Sequence, residues 1–326
     1  MASTTLNLDK IRVGIIRGGP SPEYEISLKT GANVKENLPE NFIPVDILIS
    51  KDGFWNIQGE ERPAKRVLNQ VDVVFNALHG KYGEDGKLQN LLDTFNKPYT
   101  GSKTVSSAIA MHKGYSKAIF EMNSIKTPVY LILNHTHHTK REIGNLFKSF
   151  PQPSVVKPAS GGSSLSTTIV LNLDSLFKAV EDAFRHGPQV IVEEYISGSE
   201  ATCAVLESDD GGIFALEPIE IVPASGRNFF DYEAKYENKC EEIVPARFGS
   251  DLSRELQRLA IEAHKLLGLR HYSRSDFIVS AKRGIYILET NSLPGLTEES
   301  LYPKALNAAG ISMSEFISHV LNLAMK

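Results

Sequence analysis

The chain has 326 residues, of which 41% are hydrophobic and 23% charged, the balance of a folded globular protein and not of a disordered one. Its 35 basic and 39 acidic side chains leave a net charge of −4, so the molecule as a whole attracts neither nucleic acid nor an anionic membrane. No apolar run approaches the roughly 20 residues of a membrane helix, the opening MASTTLNLDK has no basic-then-apolar leader, and two distant cysteines imply no disulfide framework, which together predict a cytoplasmic protein of two or three domains.

Ile11–Ile16 is a short run of branched apolar residues, followed by Arg17-Gly18-Gly19-Pro20-Ser21-Pro22 and a helical stretch from Glu23 to Leu38. Strand, glycine-rich turn and helix open an α/β unit. Strand-like runs at Ile43–Ile49 and Val71–Ala77 and a helix over Leu88–Phe95 complete a small parallel-sheet domain ending near Gly101. Trp55 reads as packing beside a turn. A second part begins with one helix from Val105 to Asn123, then a strand at Pro128–Leu133 and a polar loop, Asn134–Lys140. His135, His137 and His138 in that loop read as solvated, since no acidic or cysteine partner is near in sequence. Val155-Val156, a helix over Leu173–Phe184 capped by Asp174, and a short strand at Val190–Val192 follow. The third part holds strands around Ala201–Leu206 and Ile213–Ile221, a polar, aromatic-rich loop from Pro223 to Lys239, and an amphipathic helix, Leu252–Leu267, whose apolar stripe reads as core. A hairpin and a C-terminal helix end the chain. Cys203 reads as a small core residue of a strand, and Cys240 as a loop thiol.

The hairpin is where chemistry first becomes arguable. Arg274–Ser280 and Gly284–Asn291 are both strand-like. A turn centred on Lys282-Arg283 pairs Asp276 with Glu289 and Arg274 with Asn291, which puts all four side chains on one face. Two facing carboxylates repel unless a cation lies between them, and oxygens from Asp, Glu and Asn suit a hard ion such as Mg²⁺. A one-residue slip would turn Glu289 to the other face and leave an ordinary solvated strand.

Two further segments fit a nucleotide. In Lys157-Pro158-Ala159-Ser160-Gly161-Gly162-Ser163-Ser164, glycine backbone and serine hydroxyls can approach phosphate beside a lysine. The loop is not a Walker motif, because no Gly-Lys-Ser/Thr follows. Glu193-Glu194-Tyr195-Ile196 follows an apolar strand and can read an adenine edge through free backbone groups and an acidic acceptor. Arg17-Gly18-Gly19 is no dinucleotide fingerprint, which disfavours an oxidoreductase.

Taken together, the segments resemble the D-alanine–D-alanine ligases of the ATP-grasp superfamily. The resemblance rests on Gly18-Gly19-Pro20-Ser21-Pro22-Glu23-Tyr24-Glu25-Ile26-Ser27, on Leu78-His79-Gly80 with Gly83-Glu84-Asp85-Gly86, and on Asp231-Tyr232-Glu233-Ala234-Lys235-Tyr236. It rests also on Arg274-Ser275-Asp276 and on Glu289-Thr290-Asn291-Ser292-Leu293-Pro294-Gly295-Leu296-Thr297. It implies an α/β protein (α+β in the ATP-binding part) with the ATP-grasp fold and an N-terminal Rossmann-like parallel-sheet domain. The parts would be residues 1–101 for substrate, 102–193 as central ATP-grasp subdomain, and 194–326 as C-terminal subdomain with the metal site and a mobile loop.

By resemblance, Asp276, Glu289 and Asn291 would hold two Mg²⁺ ions, with Mn²⁺ an acceptable substitute. Lys113, Lys157 and Lys235 would contact ATP phosphates, and Glu193, Glu194, Tyr195, Ile196 and Glu200 would frame adenine and ribose. Glu23 would bind the ammonium of the first D-alanine, with His79 near its carboxylate. Arg274 and the Gly295 N–H would stabilise the oxyanion, and Ser300 and Leu301 would receive the carboxylate of the second D-alanine. Ser163 and Tyr236 would join Glu23 in a network that closes the site. The implied reaction makes D-alanyl-D-alanine through an acyl phosphate, for peptidoglycan precursor synthesis, in a homodimer with no nucleic-acid or membrane partner. The alternatives are a D-alanine–D-lactate or D-alanine–D-serine ligase, against which Tyr236 argues, and a catalytically silent ATP-binding protein, against which the intact Asp276, Glu289, Asn291, Lys157, Arg274 and Glu23 argue. Departures from the family pattern fall at His112, Gly161, Glu194 and His271, and imply altered affinity and not lost chemistry.

Overall fold

The computed structural model describes residues 10–135, 139–161, 167–223 and 240–326. Three sheets organise them. The first has five strands in the order β4-β3-β2-β1-β5: β1 (Ile11–Gly18), β2 (Phe42–Ile49), β3 (Trp55–Ile57), β4 (Glu60–Glu61) and β5 (Val73–Asn76). Strands β1, β2 and β5 are parallel, whereas β3 and β4 form an antiparallel edge. Alternation on β1 and β5 sends Val13, Ile15, Val73 and Phe75 to one core and Ile16 and Val74 to another. The second core is closed by α2 (Ala64–Leu68) and α3 (Lys87–Thr94). The first is closed by α1 (Tyr24–Glu36), together with side chains from the far end of the chain.

Residues 104–122 form two helices, α4 (Thr104–Met111) and α5 (Lys113–Met122), and not one. The break is at His112, whose extended backbone (φ −98°, ψ 101°) makes it the N-cap of α5, with its Nδ1 accepting the Tyr115 N–H at 3.3 Å.

The second sheet runs β6-β9-β7-β8, all antiparallel: β6 (Tyr130–Asn134), β7 (Ser154–Pro158), β8 (Thr168–Val170) and β9 (Gln189–Glu194). Helices α6 (Lys140–Ser149) and α7 (Leu173–Phe184) cover the face that carries Val156, Val190 and Val192. Helix α7 spans the residues expected from the sequence, but its cap is Asn172, in a reciprocal box with Ser175, and not Asp174. Helix α6 is unexpected; Thr139 and Glu142 box its start.

The third sheet has the order β13-β12-β10-β14-β15, with β11 paired to β10. Its strands are β10 (Ser199–Glu207), β11 (Ile213–Ala215), β12 (Ile219–Pro223), β13 (Cys240–Ile243), β14 (Tyr272–Ser280) and β15 (Gly284–Asn291). Cys240 therefore begins a strand, and is not a loop residue. Helix α8 (Ser250–Leu266) lays its expected stripe of Leu256, Leu259, Ala260 and Ala263 onto Ala201, Cys203, Val205 and Phe277. The C-terminal helix is two, α9 (Leu301–Ala308) and α10 (Met313–Met325). Their Tyr302, Phe316, Ile317, Val320 and Leu321 are the far-end side chains that complete the first core, where they meet Val13, Ile15, Val73 and Phe75.

Candidate active site

Strand order in the first sheet reverses between β1 and β5, and the loops leaving their carboxyl ends open a crevice there, as in other open parallel sheets. Glu23 is the N-cap of α1 after β1, and His79 follows β5. The loop after His79 packs closely against the one after β1: Gly80 has φ +68°, and a Cβ there would stand 2.4 Å from Glu23 Oε2 and 2.5 Å from Ser21 Oγ. His79 is buried, its Nε2 2.8 Å from Thr30 Oγ1 and its Nδ1 3.7 Å from Glu84 Oε1. A cavity of about 660 Å³ is lined by Glu23, His79, Arg274, Asn291, Gly295, Ser300 and Leu301, among others. Ser300 caps α9, and its Oγ lies 2.7 Å from Thr297 Oγ1.

A second cavity, of about 320 Å³, lies between the other two sheets. Lys113, Lys157, Glu193, Glu194, Tyr195, Ile196, Glu200, Arg274, Asp276, Glu289 and Leu301 all line it. Arg274 and Leu301 belong to both cavities, which thus meet at the hairpin.

The hairpin pairs Arg274 with Asn291 and Asp276 with Glu289, as the sequence predicts. It reaches that register by an unexpected route. The strands join through three residues, Ala281-Lys282-Arg283, with Ser280 opposite Gly284, and a bulge between Asp276 and Phe277 then shifts the pairing by one. Without the bulge Glu289 would face Ser275 and point away from Asp276. The outer edge of β15 is held there too: the Ile287 N–H donates to the Lys126 carbonyl at 2.9 Å, and Thr127 Oγ1 donates to the Ile287 carbonyl at 2.9 Å.

Charges at this seam are paired. Arg274 grips Asp276 with two bonds of 2.9 Å, while Thr202 Oγ1 at 2.6 Å and Asn291 Nδ2 at 3.1 Å donate to the same carboxylate. Lys113 Nζ lies 3.1 Å from Glu289 and donates to the Gly161 carbonyl at 2.6 Å. Burial alone would raise the Glu289 carboxyl, but Lys113 and Lys157 hold it below its usual range. With Nδ2 committed to Asp276, the remaining ligand atom of Asn291 is its carbonyl oxygen. Two carboxylates and an amide oxygen on one strand face fit a hard divalent cation. Among the described residues no group of three His, Cys, Asp or Glu side chains is arranged to hold a metal ion.

Farther in, Glu193 is shared: its Oε2 lies 3.0 Å from Lys157 Nζ and its Oε1 3.1 Å from Lys117 Nζ. Burial opposes the Glu193 charge, yet the two lysines hold its pKa low. Burial likewise opposes the Lys157 charge, and Glu193 and Glu289 more than offset it. Glu194 accepts the Val129 N–H at 3.1 Å and two bonds from Arg283, at 2.9 and 3.1 Å. A departure from the family pattern thus brings its own cation from the hairpin tip. His112, another, caps α5 as an acidic residue would. His271, a third, has φ +69°, a left-handed conformation where glycine is easy.

Ser163, Lys235 and Tyr236 lie outside the described residues. Sequence reasoning did not single out Lys117, Thr127, Thr202 or Arg283. Lys113, Ser116, Lys117 and Phe120 form one buried stripe of α5, but three of the four are polar, so nothing in the residue pattern marks that face as buried.

The family model for the D-ala D-ala ligase C-terminus matches residues 119–322, and that for the N-terminus matches residues 57–102. A D-alanine–D-alanine ligase of Geotalea uraniireducens is 37% identical over 315 residues, 96% of this chain and 95% of that protein. One from Halalkalibacterium halodurans is 37% identical over 97% of this chain and 100% of its own. Among solved structures, the D-Ala:D-Ser ligase VanG of Enterococcus faecalis superposes with TM-score 0.83 at 31% identity, covering 97% of this chain and 99% of its own. The Bacillus anthracis D-alanine–D-alanine ligase complexed with ATP does so with TM-score 0.77 at 31% identity, covering 97% of each chain. The three-sheet architecture is therefore the ATP-grasp fold of those ligases, and by sequence and structure alike the chain belongs to the D-alanine–D-alanine ligase family.

Proposed function

We propose that this enzyme joins two D-alanines at the expense of ATP, supplying D-alanyl-D-alanine for peptidoglycan precursors. The observation that carries the reading is the meeting of two cavities at Arg274, one suited to a nucleotide and one to small zwitterions. A two-stage ligation requires that juxtaposition, because an activated carboxylate has to be attacked where it forms.

In this reading the nucleotide lies between the second and third sheets, with its base near Glu193, Glu194, Tyr195 and Ile196, its ribose near Glu200, and its phosphates near Lys113 and Lys157. Asp276, Glu289 and Asn291 are the residues that would hold Mg²⁺, which when bound neutralises the phosphates and favours phosphoryl transfer. Glu23 takes the ammonium of the first D-alanine, with His79 beside its carboxylate. Transfer of the γ-phosphoryl group to that carboxylate gives an acyl phosphate and ADP. The amine of the second D-alanine, held through its carboxylate at Ser300 and Leu301, attacks the acyl carbon. A tetrahedral oxyanion forms, met by Arg274 and the Gly295 N–H, and it collapses with loss of phosphate while the attacking nitrogen gives up a proton to the departing phosphate or to solvent. Arg274 suits the task because burial opposes its charge, while Asp276 and Glu289 hold it protonated and Asp276 fixes its plane. An acyl phosphate hydrolyses, so water has to be excluded; Ser163 and Tyr236 are assigned to that closure with Glu23, and Lys235 to the γ-phosphate.

The same proposal includes division into parts of residues 1–101, 102–193 and 194–326, a homodimer, and action in the cytoplasm. Incubation with ATP, Mg²⁺ and a panel of D-alanine, D-serine and D-lactate, read by mass spectrometry and phosphate release, tests the reaction. D-Alanyl-D-alanine is expected as the main product. Preferential ester or mixed dipeptide under competition, or no phosphate above the no-amino-acid background, would overturn it.

A further inference from the structure

Lys117 has no exposed surface. Its Nζ lies 2.6 Å from Thr127 Oγ1 and 3.1 Å from Glu193 Oε1, and 5.9 Å from the centre of the Tyr130 ring. It does not line the nucleotide cavity, whereas Glu193 and Lys157 do. A buried ammonium is costly, and a single lysine would suffice to neutralise Glu193. Two lysines on one carboxylate leave a surplus of one positive charge, and only Lys157 is placed to present it.

We propose that Lys117 is a positioning residue that acts as the private counter-ion of Glu193 and so frees the charge of Lys157 for the nucleotide phosphates. Were Lys117 neutral, Glu193 and Lys157, which are 3.0 Å apart, would form a balanced pair with no net charge. The carboxylate would then screen the ammonium from any anion in the cavity. Lys117 thus acts on a ligand that it never touches, through the carboxylate between it and Lys157. Thr127 holds Lys117 in place and also bonds the Ile287 carbonyl, so the same contact joins the inner wall of the cavity to the strand that carries Glu289. The inference rests on the reading of that cavity as the nucleotide site.

The test uses the full-length protein with EDTA, so that no metal masks the protein charge. Calorimetric titration with adenosine and with ADP gives the advantage that two phosphates confer. In Lys117→Met, of similar size and neutral, adenosine affinity is expected to stay within about twofold, while the advantage of ADP over adenosine falls about tenfold or more, since one unit charge acting on another about 12 Å away in an effective dielectric of about 20 is already worth about that factor. Adding Glu193→Gln in the same chain removes the screening carboxylate, and the ADP-to-adenosine ratio is expected to return towards that of the wild type. A structural role for Lys117 would weaken both ligands equally; that result, or an unchanged ratio, would overturn the inference. If the single variant does not fold, the double variant decides: a wild-type ratio supports the inference, and a ratio about tenfold lower refutes it. If the unaltered protein binds neither ligand, the nucleotide reading of the cavity falls, and the role of Lys117 with it.

Discussion

Acid lability of the fold should trace to His271. The ring is 4% exposed, its Nδ1 accepts the Gly101 N–H at 3.1 Å, and its own backbone N–H donates to Glu207 Oε2 at 2.7 Å. Burial and the neighbouring Arg270 push the imidazole down to about 3, with Glu207 pulling the other way and His264 and His319 adding to the depression. The folded chain therefore keeps this residue neutral, whereas an unfolded imidazole titrates near pH 6.5. Between those values the unfolded state binds more protons, so stability is full above about pH 6.5 and declines as pH falls towards 3. At about pH 5 the loss attributable to this one group is about 2 kcal/mol, which for a chain of this length lowers Tm by about 3 °C. The glutamate Glu207 gives little of this, because its own depressed carboxyl releases its stabilisation only below the ordinary carboxylate range. The variant His271→Asn isolates the effect. Asparagine tolerates the left-handed backbone and can still accept the Gly101 N–H, but does not titrate. Thermal unfolding of both proteins at about pH 7.5 and about pH 5 should show the difference shrink by about 2 kcal/mol in the variant. Equal losses in the two proteins would refute the reasoning.

Three other outcomes are expected. Arg274→Gln should lower kcat by about 10²–10³-fold while leaving the KM for ATP within a few-fold, since it removes a charged donor to the oxyanion and leaves the lysines; steady-state kinetics with each substrate varied checks this. Gly80→Ala places a methyl group 2.4 Å from Glu23 Oε2 at φ +68°, so the KM for D-alanine should rise about tenfold and stability fall by about 1–2 kcal/mol, both measurable on one preparation. Thr127→Val leaves the Lys117 ammonium and the Ile287 carbonyl each short of a partner, and should cost about 2 kcal/mol or more in denaturant unfolding.

The hairpin shows how far the sequence could be read. Alternation and the positions of Asp276, Glu289 and Asn291 led to the right face, because two irregularities compensate: the three-residue tip moves the register by one and the bulge after Asp276 moves it back. Neither leaves a mark in the residue pattern, since the bulge is fixed by Lys126 and Thr127 pulling on the far edge of β15. The split of α4 from α5 was illegible for a similar reason. His112 is an unusual cap, and what selects it is Gln189 on β9, whose Oε1 lies 2.8 Å from its Nε2. Misplacing the α7 cap was a local error, since Asn172 and Ser175 form a box that the sequence itself displays. The cavity-lining lysines and carboxylates were legible through the family motifs, whereas Lys117 was hidden because it lies on a largely polar helix face with Lys113 and Ser116, and such a face is ordinarily assigned to the surface.

The return of α9 and α10 to the first sheet bears on how the protein is made. Val13 and Phe75 emerge from the ribosome well before the residues that cover them, Phe316, Ile317, Val320 and Leu321. The first sheet thus has one face only partly covered, by α1, until those residues are made, and its closure joins segments some 240 to 310 residues apart in sequence. A nascent chain stalled before α10 should present that apolar face to chaperones, and loss of the thirteen residues of α10 should unseat a substrate crevice built from segments far away in sequence.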